Sequence, residues 1–183
     1  MLEIFDLWCG YKGKSIIKGL SLKLEDGERM GILGPNGSGK STLLKSLITI
    51  LPPYKGHIFL EGKDIYKLPP LEISKKIGMA SESFNFELEF SVEEIVSMGR
   101  RPYQTLLGEE TKEDKEMVFE SLKRMNLLGF KDRPISELSL GERQRVVIAQ
   151  VLSQNPNVLL LDEPTAHLDL KYQYEILSTL KDI

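Results

Sequence analysis

The sequence predicts an α/β fold whose core is interrupted by an inserted helical segment. Three observations predict it: a glycine-rich loop at Gly34–Ser41 between an apolar run and a helix-like segment, an all-apolar run at Val158–Leu161 followed by acidic residues, and a stretch between them in which helix signals dominate. The core is therefore expected at residues 1–81 and 155–183, and the helical segment at residues 82–154.

Strands are predicted through most of the N-terminal part. Apolar and polar residues alternate at its start, and turn signals at Gly10–Gly13 and Asp26–Gly27 separate the predicted strands. After the glycine-rich loop, a helix is expected to continue to about Leu51, where Pro52 and Pro53 stop it. The strands predicted before the helical segment cover residues 1–7, 21–24, 29–33, 57–60 and 76–80.

The helical segment carries recognisable helix starts. Ser91 and Glu94 form a capping-box pattern, and Thr111 is a candidate cap for the next helix. The later run Val158–Leu161 is typical of a strand buried on both faces of a mainly parallel sheet. Helices are expected at about residues 91–98, 111–125, 141–153 and 171–181.

The loop Gly34–Ser41 matches the G-x-x-x-x-G-K-[ST] phosphate-binding pattern. Its glycines allow successive backbone N–H groups to point at phosphate oxygens, and the following helix adds a partial positive charge. We expect Lys40 to reach the β- and γ-phosphates and Ser41 to bind Mg²⁺. A glycine-rich turn that binds nothing is the alternative, but it needs neither lysine nor serine. The predicted nucleotide-binding residues here are Gly34, Pro35, Asn36, Gly37, Ser38, Gly39, Lys40, Ser41 and Thr42.

An acidic pair, Asp162 and Glu163, follows the apolar run and would lie at the carboxyl edge of the sheet, where open α/β sheets bind ligands. We expect Asp162 to hold Mg²⁺ through its water shell. Glu163 would act as the general base that polarises the attacking water. The alternative is a solvated acidic pair in a turn.

Composition and charge exclude several classes of protein. The formal net charge of −3, from 24 basic and 27 acidic residues, gives no sign of a general nucleic-acid binder. No apolar run approaches the roughly 18 residues that span a bilayer, and the N-terminus lacks the features of a signal peptide. The single cysteine, Cys9, excludes an internal disulfide and a cysteine-based metal site. We therefore expect a soluble cytoplasmic protein, with a membrane partner still possible.

Five motifs in chain order resemble those of the ATP-binding subunit of an ABC transporter. Residues 34–41 match Walker A, Leu138–Glu142 resembles the signature motif, and Leu159–Glu163 matches Walker B. Tyr11 stands where the family has an aromatic that stacks on adenine, and Ala166–Asp169 resembles the D-loop. The resemblance implies an ABC-type P-loop NTPase core with a small antiparallel β part and an inserted α-helical subdomain.

The same resemblance implies an activity, cofactors and partners. The activity is ATP hydrolysis coupled to transport, with ATP and Mg²⁺ as cofactors. Two ATPase subunits pair head to tail, so that Ser139 and Gly141 act on the γ-phosphate held by the partner. Transmembrane permease subunits are the other partners, nucleic acid is not one, and the protein is peripheral at the cytoplasmic face of the membrane. From the residues alone, Ser139 and Glu142 also form a capping box, and periodicity cannot choose between a cap and a phosphate site.

The run Val96–Tyr103 is similar in sequence to a run found in the ATP-binding subunits of importers of iron–siderophore complexes, haem and cobalamin. Local chemistry offers an alternative, a C-cap glycine at Gly99 followed by a proline stop. The family docks a helix of the membrane subunit near the aromatic segment 83–90, although alternate residues there could instead pack into the subdomain. The docking candidates are Phe84, Phe86, Arg100 and Tyr103.

Four departures from the family pattern affect the expected activity. Leu140 replaces a signature glycine and cannot easily adopt a positive φ, and Glu142 replaces a glutamine and adds a negative charge. Glu82 replaces a glutamine that binds Mg²⁺ and positions water; a carboxylate can also ligate Mg²⁺, and an ordinary loop glutamate is the alternative. The chain ends at Ile183, 20 residues after Glu163, so a C-terminally truncated protein without the family's switch histidine and with weak turnover is expected.

Two other functions are compatible with these motifs. One is a soluble ABC ATPase outside transport, which long coiled-coil insertions or tandem ATPase halves would favour, and the sequence has neither. The other is a truncated, non-catalytic ATP-binding fragment, against which the intact Glu163 argues.

Overall fold

The computed structural model describes residues 1–81, 89–104, 110–166 and 168–181. The chain folds as two compact units, Met1–Ser74 and Lys75–Ile183. No helix in the described ranges is both long and apolar enough to span a bilayer. The division into a core and an inserted helical part stays a prediction.

The first unit is built on a four-stranded antiparallel sheet of β1 (Leu2–Tyr11), β2 (Lys14–Leu24), β3 (Lys55–Leu60) and β4 (Lys63–Asp64). The order of the strands in the sheet is β2–β1–β3–β4. Leu2 of β1 lies opposite Leu24 on one side and Leu60 on the other. The strands predicted at the N-terminus and around residues 57–60 are confirmed, and the first two are longer than predicted.

Helix α1 (Lys40–Leu47) packs its apolar face on β1 and β2. The prediction that it continues to Leu51 is wrong. Thr49 adopts left-handed backbone with φ 61°, and the N–H groups of Ile50 and Leu51 return to the carbonyl oxygen of Lys45. This turn satisfies a C-terminal carbonyl of α1 and ends the helix before the proline pair.

The turn after α1 is held by Tyr66, which lies in the 3₁₀ turn Ile65–Lys67. Its hydroxyl is 2.8 Å from the carbonyl oxygen of Ser46 and 2.7 Å from that of Leu51. The phenol is neutral and able to donate, and burial raises the pKa of Tyr66 further above its usual range. The hydroxyl therefore lies between the two ends of this turn and can donate its one proton to either carbonyl oxygen.

The strand predicted at residues 29–33 does not form. Met30, Ile32 and Leu33 are exposed, Leu33 to 96%. A strand needs a hydrogen-bonded neighbour, and the sheets of the described residues include no pairing with this segment. Apolar composition alone was therefore a poor guide to strand formation here.

The second unit contains a parallel pair of strands, β5 (Ile77–Ala80) and β6 (Val158–Leu161). Both strands were predicted. β6 is not buried on both faces as expected, because Val158 and Leu160 are buried whereas the alternate residues are only half-buried. The backbone N–H of Asp162 donates to the carbonyl oxygen of Ala80 at 2.9 Å, which continues the pairing past the end of β6.

Helices form the rest of the second unit, and four of them were predicted. Three begin with a capping box, in which a serine or threonine hydroxyl and a carboxylate three residues later satisfy each other's backbone N–H groups; the pairs are Ser91 with Glu94, Thr111 with Asp114, and Ser139 with Glu142. The predicted helices are α3 (Val92–Ser97), α4 (Lys112–Arg124), α5 (Leu140–Ser153) and α6 (Leu170–Lys181). Helix α2 (Pro70–Lys76), at the boundary of the two units, was not predicted, nor were the 3₁₀ turns Met98–Tyr103, Leu128–Phe130 and Ile135–Glu137.

The apolar core of the second unit lies where α3, α4 and α5 meet. It includes fully buried aliphatic side chains from each helix and from the loops between them. These are Val92, Ile95, Val96, Leu122, Met125, Leu127, Val146, Ile148 and Ala149.

A buried ion pair lies within this helical core. The Nε of Arg100 donates to Oδ1 of Asp114 at 2.7 Å, and its Nη1 donates to the carbonyl oxygen of Ser153 at 2.8 Å. Both charged side chains are 3% exposed. Arg100 also lies 4.0 Å from the ring centroid of Tyr103, a cation–π contact.

Arg100 is therefore wrong as a docking candidate, because its guanidinium is enclosed and bonded inside the unit. Tyr103 is half-buried and donates its hydroxyl to the carbonyl oxygen of Lys75 at 3.2 Å, which gives it a structural role. Phe84 and Phe86 lie outside the described residues.

The C-cap interpretation of Gly99 is also wrong. Gly99 lies inside the 3₁₀ turn Met98–Tyr103 and does not have a positive φ. A Cβ at this position would collide with the carbonyl oxygen of Gln150 and the hydroxyl of Ser153. Glycine is therefore required for the close approach of this turn to α5.

We expect Asp114→Asn to lower the free energy of unfolding by about 3–5 kcal/mol, because it leaves the buried Arg100 charge without its counter-ion. Urea titration at pH 7 measures this. Glu113→Gln, an exposed change in the same helical turn, is the matched control and should cost less than about 0.5 kcal/mol. Equal effects of the two substitutions would contradict a stabilising role for the pair.

Candidate functional site

The glycine-rich loop Gly34–Ser41 runs directly into α1. Gly37 and Gly39 have φ values of 80° and 102°, in the left-handed region that glycine enters without strain. The N–H of Ser38 donates to the carbonyl oxygen of Pro35 at 3.1 Å, which closes a turn within the loop. The loop is exposed up to Gly39, which is buried.

Gly39 seats the loop against β2. A Cβ at Gly39 would lie 2.8 Å from Cγ2 of Ile16 and 2.9 Å from Cδ1 of Ile17. The carbonyl oxygen of Gly39 accepts from the N–H of Leu43 at 2.9 Å, the first hydrogen bond of α1. The loop, the sheet and the helix therefore meet at a residue that can carry no side chain.

Lys40 places its ammonium group at the start of the loop. Its Nζ donates to the carbonyl oxygen of Gly34 at 3.0 Å and lies 3.4 Å from that of Pro35. Ser41 is half-buried and Thr42 is buried, with 7% of its surface exposed. The first turn of α1 thus combines a cation and a hydroxyl beside a curled backbone, a combination suited to phosphate oxygens.

Tyr11 is the last residue of β1 and is 44% exposed. It pairs with Lys14 across the tight turn Lys12–Gly13. Ile16 and Ile17, which contact Gly39, lie on the same hairpin. The structure therefore connects the predicted adenine-stacking residue to the loop through β2.

Asp162 and Glu163 follow β6 in the second unit, as predicted. Asp162 is half-buried and Glu163 is exposed. Glu163 has φ 49°, uncommon for a residue with a side chain, and its carbonyl oxygen accepts from the N–H of Ala166 at 3.0 Å. Strained backbone of this kind costs of order 1–3 kcal/mol and concentrates at functional sites.

The N-terminus of α5 carries the signature-like motif. The carboxylate of Glu142 accepts from the N–H and from the hydroxyl of Ser139, both at 2.7 Å. These two bonds lower the pKa of Glu142. Leu140 lies in the first helical turn, 48% exposed and without a positive φ, so the expected backbone difficulty does not arise. Gly141 is buried, and a Cβ there would lie 3.2 Å from Cδ1 of Tyr172 in α6.

Some predicted residues cannot be placed. Glu82 lies outside the described residues, as does His167 within the D-loop-like segment. Lys40 and Ser41 belong to the first unit, whereas Asp162 and Glu163 belong to the second. Among the residues that the structure places, no three His, Cys, Asp or Glu side chains are grouped to hold a metal ion.

Sequence reasoning missed the residues that pack against the loop and against the signature-like motif. Ile16 and Ile17 read only as part of a hairpin, and Tyr172 reads as a helix residue. Their contacts with Gly39 and Gly141 are long-range, so no local pattern could have indicated them.

The phosphate-binding pattern of Gly34–Ser41, which runs directly into α1, and the acidic pair after the parallel strand β6 are typical of a P-loop nucleotide-binding protein. The chain belongs to the ABC transporter family, whose family model matches residues 17–166. The predicted fold class is thereby confirmed.

Two curated relatives and one solved structure illustrate the similarity. The chain is 43% identical to the ABC transporter ATP-binding protein YvrA of Bacillus subtilis (strain 168), across 94% of the chain and 39% of the relative. It is 36% identical to the ferric enterobactin transport ATP-binding protein FepC of Escherichia coli (strain K12), across 97% of the chain and 65% of the relative. The chain thus spans less than two thirds of the length of either relative.

Among solved structures, the fold resembles the dimeric post-hydrolysis state of the ATP-binding cassette MJ0796 bound to ADP and Pi. The TM-score is 0.82 and the identity 29%, over 100% of the chain and 82% of that structure.

We expect Glu142→Gln to lower stability by about 1 kcal/mol at pH 7, because a neutral acceptor bonds Ser139 more weakly than a carboxylate. The lowered pKa of Glu142 means that this contribution is present above the unfolded-state pKa and is lost as pH falls through the folded-state pKa. The difference between wild type and variant should therefore vanish as pH falls from about 5 to about 3.

Urea unfolding across this pH range measures the difference. Glu137→Gln, an exposed change just before α5, is the control and should have little effect at any pH. A stability difference that stays constant with pH would show that the charge of Glu142 does not matter.

Proposed function

We propose that the chain is the ATP-binding and hydrolysing part of a subunit that energises an ABC importer. The observation that carries this proposal is the loop Gly34–Ser41, whose left-handed glycines, helix start and inward-folded lysine suit a triphosphate. Membership of the ABC transporter family supports adenine nucleotide as the ligand.

In this proposal the loop residues hold the phosphates, and Lys40 exchanges its carbonyl partners for β- and γ-phosphate oxygens. Tyr11 stacks on the adenine, for which its exposed ring at the end of β1 is suited. The first-turn residues Ser41 and Thr42 complete the phosphate contacts from α1.

The donor chemistry fits Mg²⁺. The hydroxyl of Ser41 and the carboxylates of Asp162 and Glu82 are hard oxygen donors of the kind that this ion prefers. When bound, Mg²⁺ would supply positive charge that offsets the negative charge of the phosphates.

Glu163 is proposed as the general base. Its position directly after β6 and its left-handed backbone support this assignment. Its role would be to orient water and accept its proton during attack on the γ-phosphate, with Lys40 stabilising the charge that develops.

The proposed partners are a second ATPase subunit and a transmembrane permease. The dimer of the similar cassette with ADP and Pi supports the first, with Ser139 and Gly141 acting across the interface. By its name, the relative from Escherichia coli transports ferric enterobactin. This supports an iron–siderophore complex as the cargo, or a related metal chelate such as haem or cobalamin. Such a subunit would work at the cytoplasmic face of the membrane.

We expect Lys40→Ala to weaken ATP binding at least tenfold, because the substitution removes the loop cation that contacts the phosphates. Isothermal titration with ATP and Mg²⁺ measures the affinity. Lys45→Ala, which removes an exposed lysine from the last turn of the same helix, is the matched control and should leave affinity unchanged. Equal affinity of the wild type and Lys40→Ala would overturn the proposed phosphate site.

Glu163→Gln should retain ATP binding and slow ATP hydrolysis about 100-fold or more, because the substitution removes the general base but keeps the shape of the side chain. Single-turnover hydrolysis measures the rate. Glu116→Gln, a change at an exposed residue of α4, should not alter it. Unchanged hydrolysis by Glu163→Gln would exclude Glu163 as the base.

A further inference from the structure

Tyr54 is an aromatic residue that the proposed function does not use, although it lies at the same end of the sheet as Tyr11. It immediately precedes β3 and is 49% exposed. Its hydroxyl accepts a hydrogen bond from the backbone N–H of Gly13 at 3.1 Å, across 41 residues of sequence.

The turn that Tyr54 contacts is a two-residue hairpin turn. Lys12 and Gly13 have φ values of 49° and 77°, which is the backbone of a type I′ turn. In such a turn the N–H of the second turn residue takes no part in the strand ladder. Tyr54 therefore satisfies a donor that the hairpin itself leaves without a partner.

The backbone of Tyr54 is fixed as well as its hydroxyl. Its N–H donates to the carbonyl oxygen of Trp8 at 2.7 Å, and the next residue, Lys55, pairs with Trp8 in the sheet. The side chain consequently extends from Trp8 of β1 to the turn at Gly13. Tyr54 therefore contacts both ends of the segment that runs from Trp8 through Tyr11 to the turn.

The hairpin that Tyr54 contacts also packs against the phosphate loop. Tyr11 flanks the turn on one side, and Ile16 and Ile17 contact Gly39 on the other strand. The relative placement of Tyr11 and the loop thus depends on how the turn is held.

We propose that Tyr54 is a positioning residue for the nucleotide base: its hydroxyl holds the β1–β2 turn so that Tyr11 is placed to stack on the base while the phosphates occupy the loop. This inference rests on the proposed function. It concerns the base alone, because the hydrogen bonds of Tyr54 go to Trp8 and Gly13 of the sheet, and Tyr54 acts through the hairpin.

The test compares two ligands in the intact chain, ATP and inorganic tripolyphosphate, each with Mg²⁺. Tyr54→Phe keeps the ring and removes the hydroxyl. We expect its Kd for ATP to rise about three- to tenfold, the effect of losing one hydrogen bond, while its Kd for tripolyphosphate stays within about twofold. Tripolyphosphate carries no base, so unchanged binding also shows that the variant is folded around its loop.

A double-mutant cycle shows whether Tyr54 acts through Tyr11. Tyr11→Ala should weaken ATP about tenfold or more without affecting tripolyphosphate, because base–aromatic stacking is lost. In the Tyr11→Ala background, Tyr54→Phe should have no further effect on ATP. Tyr174→Phe, which removes a hydroxyl from an exposed tyrosine of α6, is the matched control and should change neither ligand.

The outcomes separate this inference from the function on which it rests. If Tyr11→Ala weakens ATP but Tyr54→Phe does not, or if Tyr54→Phe weakens both ligands equally, the positioning role is overturned and the nucleotide site stands. Additive effects in the double mutant also overturn it. If the wild-type chain binds neither ligand, or binds both regardless of Tyr11, the proposed base site fails and this inference fails with it.

Discussion

Both units depend on points where the backbone of a glycine lies so close to a neighbouring element that an added side chain would collide with it. At Gly39 the loop lies directly against Ile16 and Ile17 of β2, and at Gly99 a 3₁₀ turn lies against α5. Interiors are packed as densely as organic crystals, so one added methyl group at such a point forces its neighbours to shift. The start of α1 and the position of α5 are therefore set by residues that contribute no side chain.

Next to Gly99, a buried ion pair and its hydrogen bonds join the helices. Arg100 follows the glycine and reaches both Asp114 of α4 and the last residue of α5, Ser153. Asp114 also belongs to the capping box of α4, so one carboxylate starts a helix and neutralises a buried cation. The desolvation cost of such a pair is large, and its hydrogen bonds offset that cost only in one arrangement of the three helices.

The features that could be predicted from the sequence are those in which the cause lies within a few residues. The capping boxes at Ser91 and Ser139 follow from residue types three positions apart, and the loop Gly34–Ser41 follows from a short pattern. Residues 29–33 failed as a strand because strand formation depends on a distant neighbour. Arg100 was likewise expected at the surface, because no local sequence pattern indicates its contact with Asp114.

The N-terminus of α5 already holds an anion of its own. The Glu142 carboxylate accepts from the N–H and the hydroxyl of Ser139, and that hydroxyl is one of the groups that a phosphate would use there. An incoming phosphate would have to displace this internal competitor and tolerate its negative charge nearby. Phosphate binding at this helix end would therefore be an exchange of one anion for another, and not the filling of an empty site.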